Sequence, residues 1–174
     1  MNVNRFPTTF SVLGVVRHRD CRPAWYRVEL PIKPNGSTGF VLARSVRVGP
    51  VHTRIVVDLS ARRLTLFRNS RRVLSTVVAV GSPATPTPTG RYYVNQRLIP
   101  SDPWGPWGPA ALGVSAFSTV LTHWTQGGPI GIHGTNEPWS IGRAVSNGCI
   151  RLRNGVLRRV FSVTYAGTPV VIRR

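Results

Sequence analysis

Acidic side chains are scarce in this chain of 174 residues, which has five Asp and Glu residues against 23 Lys and Arg residues. Lys33 is the single lysine, so the other basic residues are arginines. The formal net charge of +18 predicts attraction to polyanions, such as nucleic acid, an acidic wall polymer or an anionic membrane. The arginines are scattered and alternate with apolar residues, however, which is typical of the solvent side of a β-protein. Because no zinc-finger spacing or single basic helix gathers them, we expect no specific nucleic-acid partner.

Long hydrophobic runs and cysteines are scarce as well. No segment approaches the roughly 20 apolar residues of a membrane span, and the N-terminus lacks the apolar core of a signal peptide, so we expect neither in this chain. Cys21 and Cys149, the two cysteines, could form one disulfide, which would consume a reactive thiol. Four histidines accompany them, but without Cys-x-x-Cys or His-x-x-x-His spacing. The sequence therefore predicts no bound metal and no cofactor.

The hydrophobic pattern divides the chain into two parts. Within residues 1–50, Tyr26–Leu30 alternates between polar and apolar side chains, and Gly39–Ala43 predicts a second strand. This first part resembles bacterial SH3-like domains, which implies a small β-barrel that gains stability by docking on its neighbour. Gly49-Pro50 is a plausible boundary, so residues 51–174 form the second predicted domain.

Three strand patterns follow one another at the start of the second domain. Arg54–Leu59, Arg63–Phe67 and Val73–Val80 are separated by short polar links, which predicts an antiparallel meander. Thr85–Gly90 alternates threonine with proline, so we expect a rigid connecting loop. The remaining patterns predict a strand from Arg91, a short helix over Gly155–Phe161 and a last strand over Thr168–Arg174.

Pro100–Gly113 is rich in proline, glycine and tryptophan and predicts a long loop without regular structure. Loops of this length are often functional, as lids or groove walls. Trp107 in this loop could stack against a substrate. It could equally cap the edge of the core.

Two short segments carry the strongest chemical signal. Ile130-Gly-Ile-His133-Gly134-Thr135 and Ser146-Asn147-Gly148-Cys149-Ile150-Arg151 place an imidazole and a thiol sixteen positions apart, each beside a glycine. A thiolate is the form of cysteine that attacks acyl carbons, and a nearby imidazole can generate it. The sequence therefore predicts cysteine-dependent acyl transfer.

A third group must hold the imidazole in one orientation. With so few acids in the chain, the carbonyl of Gly134 is the natural acceptor. The backbone amides of Gly148 and Cys149 could form an oxyanion hole, in which donors stabilise developing charge. Ser146 could brace either the imidazole or the loop. Arg151 could stabilise the thiolate or hold a substrate carboxylate.

The two segments together resemble the active-site signature of the YkuD-like L,D-transpeptidases. The resemblance extends upstream through Ile55–Leu64 and the Thr-Pro-Thr-Gly run, and covers roughly residues 52–174. It implies a mainly β catalytic fold, a sandwich or barrel with one or two short helices. It also implies that Cys149 is the nucleophile and His133 the general base. Asn147 stands where many members have a histidine, and we expect it to line the substrate site.

The resemblance further implies a function at the cell envelope. Such enzymes cross-link peptidoglycan stem peptides, and carbapenem-type β-lactams acylate the same sulfur. The positive charge and the SH3-like part fit contact with an anionic wall polymer. Two alternatives stay open at this point. One is an L,D-carboxypeptidase or cysteine peptidase acting on wall peptides, and the other is a non-enzymatic basic protein that binds wall polymer or nucleic acid.

Overall fold

The structure of the protein, a computed structural model, describes residues 1, 5–121 and 123–174. Residues 2–4, which belong to the predicted first domain, lie outside the described residues. The described part consists of strands, short 3-10 turns and one α-helix. No helix in this part is long and apolar enough to cross a membrane. The prediction of a mainly β fold with one or two short helices is confirmed.

The N-terminal region forms a three-stranded antiparallel sheet. Its strands, in the spatial order β1-β2-β3, are β1 Ser11–Arg17, β2 Pro23–Glu29 and β3 Thr38–Leu42. A 3-10 turn over Ala43–Ser45 follows β3. The alternating pattern predicts β2 and β3 but not β1, whose apolar residues do not alternate and are mostly exposed.

The rest of the chain folds into one large sheet, a two-stranded ribbon and a helix. The strands of the large sheet are β4 Thr53–Asp58, β5 Arg63–Arg68, β6 Arg71–Val77, β8 Gly90–Leu98, β9 Ala111–Phe117, β10 Pro129–His133, β12 Ile150–Arg151 and β13 Pro169–Arg173. Their spatial order is β12-β10-β9-β8-β13-β4-β5-β6, and the sheet curls into a half-barrel. β7 Val80–Gly81 and β11 Ala144–Ser146 form the ribbon, and α1 spans Asn154–Val163.

Alternation of side chains explains the meander β4-β5-β6. Ile55 and Val57 of β4 and Leu64 and Leu66 of β5 are almost fully buried, while their sequence neighbours face outward. Successive residues of a strand point to opposite faces, so these four form one layer of the core. The predicted antiparallel pairing is present.

The predicted strand Val73–Val80 is wrong in its second half. β6 ends at Val77, and the next three residues are all buried, so the alternation stops there. Ala79 instead exchanges two backbone hydrogen bonds with Arg151. The chain therefore leaves the meander and runs beside the start of β12.

The helix α1 closes one face of the large sheet. Leu157 and Val160 lie on its buried side, one turn apart, and join the main hydrophobic core. The sequence predicts this helix over Gly155–Phe161, and the structure extends it by one residue before and two after. Because α1 begins only three residues after β12, its first residue, Asn154, is close enough to accept a hydrogen bond from Thr135 N–H in the loop after β10.

The N-terminal sheet and the turn between its strands β2 and β3 are hydrogen-bonded to β9 of the large sheet. Asn35 donates to Phe117 O at 2.8 Å and accepts from Phe117 N–H at the same distance. Ser115 Oγ donates to the buried Glu29 carboxylate at 2.7 Å. Burial raises the pKa of Glu29 above its ordinary value, and the Ser115 hydrogen bond opposes that rise. These contacts fix the first fifty residues against the strand that borders β10.

Candidate active site

Two neighbouring parallel strands bring the predicted catalytic residues together. In the pairing of β10 with β12, Ile132 is the partner of Ile150 and His133 is the partner of Arg151. By the same register, Cys149 lies opposite Gly131, whose N–H donates to Cys149 Sγ at 3.4 Å. The fifteen residues between His133 and Cys149 thus form an excursion that returns the chain to the same place.

Glycine at position 131 keeps the space beside the thiol open. Gly131 and His133 are two residues apart on one strand, so they face the same side of the sheet. A Cβ on Gly131 would lie 3.7 Å from His133 Cδ2 and 3.5 Å from Trp107 Cζ3. The thiol, the imidazole and the tryptophan therefore border one small volume.

The imidazole of His133 is buried, with 5% of its surface exposed, and makes one short contact. Its Nδ1 lies 2.6 Å from Gly134 O. A carbonyl can only accept, so Nδ1 carries the hydrogen and Nε2 is left as the basic nitrogen. Burial lowers the pKa of His133 to about 4, the Gly134 contact opposes this and the charge of Arg151 adds to it. At neutral pH the imidazole is uncharged and can accept a proton.

The carbonyl of Gly134 is itself held in place from the far side of its peptide. The next amide in the chain, Thr135 N–H, donates to Asn154 Oδ1 at 2.8 Å. In a trans peptide the C=O and the following N–H point in opposite directions. The Asn154 side chain at the start of α1 therefore directs Gly134 O toward His133. A Cβ on Gly134 would collide with Asn154 Oδ1 and lie 2.9 Å from Pro109 Cδ, so this approach requires glycine.

Trp107 covers the imidazole from the cavity side. The ring centroids of Trp107 and His133 are 4.6 Å apart and the planes are inclined by 48°. The indole is still 45% exposed, so it separates the histidine from solvent while one of its faces borders the open site. Both sequence interpretations of Trp107, a cap on the core and a contact for substrate, are compatible with this position.

The thiol of Cys149 is half-buried at the start of β12. Burial raises its pKa, while the Gly131 N–H and the charge of Arg151 lower it. Since the pKa of the thiol is raised and that of the imidazole is lowered, the resting pair is uncharged. The two pKa shifts thus disfavour a preformed thiolate–imidazolium pair.

The loop before the thiol is organised by Ser146. Its hydroxyl donates to Cys149 O at 2.6 Å and accepts from Gly148 N–H at 3.2 Å. Of the two roles expected for Ser146, it therefore braces the loop and not the imidazole. The Gly148 amide, which was expected to serve in an oxyanion hole together with that of Cys149, donates to Ser146 in this structure.

Gly148 needs to be glycine. Its φ of +106° lies in the region that other residues rarely adopt, and a Cβ there would lie 2.9 Å from Ile130 Cδ1. This backbone conformation turns the chain from the Ser146 brace into β12. The Cys149 side chain then lines an apolar cavity.

The guanidinium of Arg151 forms an ion pair with Glu137 through Nη1. Its Nε is buried and has no hydrogen-bond partner among the described residues. The pairing with Glu137 occupies part of the guanidinium that was expected to hold a substrate carboxylate. The charge of Arg151 nevertheless acts on the site, because it lowers the pKa of both Cys149 and His133.

A largely apolar cavity of about 320 Å³ opens at the thiol. Its walls include Cys149, Asn147, Trp107, Trp124 and Leu112. Asn147 is exposed, as expected for a residue that meets substrate. A cavity with apolar walls and a few polar groups is typical of a small-molecule or peptide site.

Four residues that contact this site were not predicted from the sequence to have a function. They are Thr87, Gly131, Glu137 and Asn154. Asn154 directly precedes the predicted helix, and Thr87 lies in the Thr-Pro-Thr-Pro-Thr-Gly run, so the available signal was the position of each residue beside a motif and not its chemistry. Their contacts join segments up to 61 positions apart and follow from the tertiary fold.

Cys21 and Cys149 are both free thiols, and Cys21 is exposed. Across residues 1, 5–121 and 123–174, no group of three or more His, Cys, Asp or Glu side chains is arranged to hold a metal ion.

Comparison with known proteins gives one consistent family. The family model YkuD, the L,D-transpeptidase catalytic domain, matches residues 52–172. A Bacillus subtilis protein named as the L,D-transpeptidase YkuD is 41% identical over 125 residues, which cover 72% of this chain and 67% of that protein. The chain thus spans about two thirds of the length of this relative.

Solved structures agree. The catalytic domain of the E. faecium L,D-transpeptidase superposes with a TM-score of 0.51 at 25% identity and covers 71% of this chain and 99% of that domain. The Ldtfm–avibactam carbamoyl enzyme superposes with a TM-score of 0.50 at 26% identity, and the match covers 70% of this chain and 48% of that chain.

Proposed function

The chain belongs to the YkuD family of L,D-transpeptidase catalytic domains, and we propose from this premise that it cross-links peptidoglycan stem peptides through an acyl-enzyme on Cys149. The observation that carries the proposal is the contact of His133 Nδ1 with Gly134 O, because it leaves Nε2 free to act as a base. Cys149 directly precedes the neighbouring strand and lines the apolar cavity.

The first half of the reaction forms a thioester. His133 Nε2 takes the proton from Cys149 Sγ as the sulfur attacks the carbonyl carbon of the third residue, the diamino acid, of a tetrapeptide stem. The oxygen of the tetrahedral intermediate is negative, and backbone N–H groups stabilise it. When the intermediate collapses, the bond to the terminal D-alanine breaks and His133 returns the proton to the leaving amine.

The second half transfers the acyl group to an acceptor. The side-chain amine of a neighbouring stem peptide attacks the thioester and gives up a proton to His133. The sulfur leaves, and Cys149 regains a proton. Water as the acceptor would give a tripeptide instead of a cross-link, so the identity of the acceptor separates a transpeptidase from a carboxypeptidase.

Further partners follow from the same proposal. The avibactam carbamoyl form of Ldtfm supports β-lactams and related acylating inhibitors as ligands of Cys149. The net charge of +18 supports contact with an anionic wall polymer. Because its substrate would be wall peptide, we propose that the protein acts outside the cytoplasm.

We also propose that residues 1–50 form an SH3-like module that is distinct from a catalytic domain over 51–174. Its support is the antiparallel sheet β1-β2-β3 followed by a 3-10 turn. The hydrogen bonds of Asn35 to Phe117 support a role in positioning, because β9 runs beside the strand that carries His133.

Incubation with a purified disaccharide-tetrapeptide, followed by mass spectrometry of the products, tests the proposed function. We expect a cross-linked dimer and released D-alanine, and no product from the Cys149→Ala variant. The Cys21→Ala variant is the matched control, because that thiol is exposed and far along the chain. Tripeptide as the only product, in the presence of ample acceptor amine, would show a carboxypeptidase. No product from folded wild-type protein would refute both forms of the proposal.

A further inference from the structure

The loop of residues 82–89, between β7 and β8, lies against the segment that precedes the thiol. Thr85 Oγ1 donates to Ser146 O at 2.9 Å, and Ser82 N–H donates to the same oxygen at 2.9 Å. Thr87 Oγ1 donates to Gly148 O at 2.8 Å. The proposed reaction assigns no role to this threonine- and proline-rich loop, although it contacts the backbone on both sides of Asn147.

The direction of the Thr87 hydroxyl bond is determined by its other partner. Gly81 N–H donates to Thr87 Oγ1 at 2.8 Å, so the hydroxyl oxygen accepts there. Its own proton is then available for the carbonyl of Gly148, which can only accept. Thr87 is 4% exposed, and water therefore competes little for either bond.

The bond to Gly148 O determines where the next amide points. In the trans peptide between Gly148 and Cys149, the C=O and the N–H point in opposite directions. With Gly148 O held toward the 82–89 loop, the Cys149 N–H is directed away from that loop. The amide of Gly148 is engaged by Ser146, whereas the amide of Cys149, next to the thiol, remains available to a negative oxygen.

We propose that Thr87 is a positioning residue for the oxyanion site. Its hydroxyl holds the Gly148–Cys149 peptide so that the Cys149 N–H donates to the oxygen of the tetrahedral intermediate. This inference rests on the proposed function, because it requires acyl transfer at Cys149. Removing one oxyanion donor costs about 100- to 1,000-fold in rate in well-studied cases. Since the Cys149 amide remains in place, we expect a smaller loss, of roughly ten- to one-hundred-fold, when Thr87 loses its hydroxyl.

Two reactions of the same sulfur separate this role from a general effect on the site. Acylation by a carbapenem or by the tetrapeptide adds sulfur to a carbonyl and creates a negative oxygen. Alkylation by iodoacetamide displaces iodide from a saturated carbon, and no such oxygen forms. Both reactions need an activated thiol, but acylation alone needs the oxyanion donor.

The test compares both rates in wild type, Thr87→Val and Thr87→Ser. We expect Thr87→Val, which keeps the shape of threonine, to slow acylation ten- to one-hundred-fold, while the rate and pH profile of alkylation stay within about twofold. Thr87→Ser keeps the hydroxyl and should recover most of the acylation rate. Thr87→Ala is a second hydroxyl-free variant, used if the valine variant does not fold.

The matched control is Thr85→Val, which removes a hydroxyl from the same loop but not the bond to Gly148 O. It should retain the ratio of acylation to alkylation seen in wild type. An equal loss of both rates in Thr87→Val, or an unchanged acylation rate, would overturn the inference. Wild-type protein that alkylates at Cys149 but is never acylated would refute the proposed function itself, and the inference with it.

Discussion

His133 and Arg151 are register partners in the parallel pair of β10 and β12, so a permanent positive charge stands one strand away from the imidazole. That charge lowers the pKa of His133 and of Cys149 alike. A cation near both members of the pair discourages a charged imidazole and encourages a thiolate. Burial has the larger effect on each of these two pKa values, so the resting site holds two uncharged groups and not an ion pair.

Arg151→Gln should move both limbs of the pH–rate profile for alkylation of Cys149 to higher pH. Removal of the cation raises the pKa of His133 and that of Cys149, because Arg151 lowers each of them. The rate of iodoacetamide modification, measured from pH 4 to pH 10, checks this. Arg153→Gln is the control, since Arg153 is exposed and its removal leaves the ion pair with Glu137 intact. A shift of the two limbs of the pH–rate profile in opposite directions would show that Arg151 does not lower both pKa values.

The stability of the protein should fall as the pH is lowered from about 6.5 to about 4, in part through His133. Its pKa in the folded protein is about 4, against an ordinary value of 6.5, so the unfolded chain binds more protons in this window. The contribution is complete above pH 6.5 and is lost as the pH falls through the folded pKa. It amounts to about 3 kcal/mol.

Chemical denaturation of wild type and His133→Gln at pH 7 and pH 4.5 measures this contribution. The difference in the free energy of unfolding between the two pH values should be smaller in the variant. Equal pH dependence in both proteins would show that the folded-state pKa of His133 is not depressed.

Asn154→Leu should slow both acylation and alkylation of Cys149. Without Asn154 Oδ1, Thr135 N–H loses its acceptor and the Gly134 carbonyl is no longer directed at His133 Nδ1. We expect a loss of about tenfold or more, smaller than the roughly 100- to 10,000-fold contribution of a general base because the imidazole itself remains. Nitrogen NMR shifts of His133 should show a mixture of tautomers in place of the Nδ1–H form.

Asn154→Asp tests the same idea from the other side, since a carboxylate still accepts from Thr135 N–H. It should keep the Nδ1–H tautomer and most of the alkylation rate. Asn136→Ala is a control on an exposed neighbouring asparagine. A normal tautomer in Asn154→Leu would show that the Gly134 carbonyl is held by other contacts.

Meropenem should add once to the intact protein, and the adduct should disappear in Cys149→Ala. Intact-mass measurement of the wild type and both cysteine variants checks this. Cys21→Ala should be modified like wild type, because Cys149 lines an apolar cavity whose wall residue Trp107 contacts His133, whereas Cys21 is an exposed thiol. Modification of Cys21, or no adduct at all, would count against Cys149 as the nucleophile.

Particular elements show how far the sequence leads. The meander β4-β5 follows from strict alternation around Ile55 and Leu64, and the helix α1 follows from apolar spacing around Leu157. The strand β1 was not predicted from the sequence, because its apolar residues are mostly exposed and do not alternate with polar ones. An alternating sequence pattern arises where one face of a strand is buried, and little of β1 is buried.

In the candidate site, too, some residues could be predicted from the sequence and others could not. His133, Gly134 and Cys149 stand out in sequence because chemistry and glycine occur together there. Thr87 and Asn154 are ordinary polar residues whose partners lie 61 and 19 positions away, so their contacts depend on the register of distant strands. The engagement of the Gly148 amide by Ser146 likewise required the three-dimensional loop.

The acceptor of the His133 hydrogen bond is a peptide oxygen, which has no side chain to replace and no proton to gain in the working range of the protein. An enzyme that orients its histidine with a carboxylate loses that support in acid and can lose it to one codon change. Here neither event removes the oxygen itself. Natural variation acts on it only indirectly, through Gly134, whose lack of a side chain permits the close approach, or through Asn154, which holds the peptide from behind. Substitutions at the start of α1, away from the thiol, are therefore expected among variants that lose function or resist acylating inhibitors.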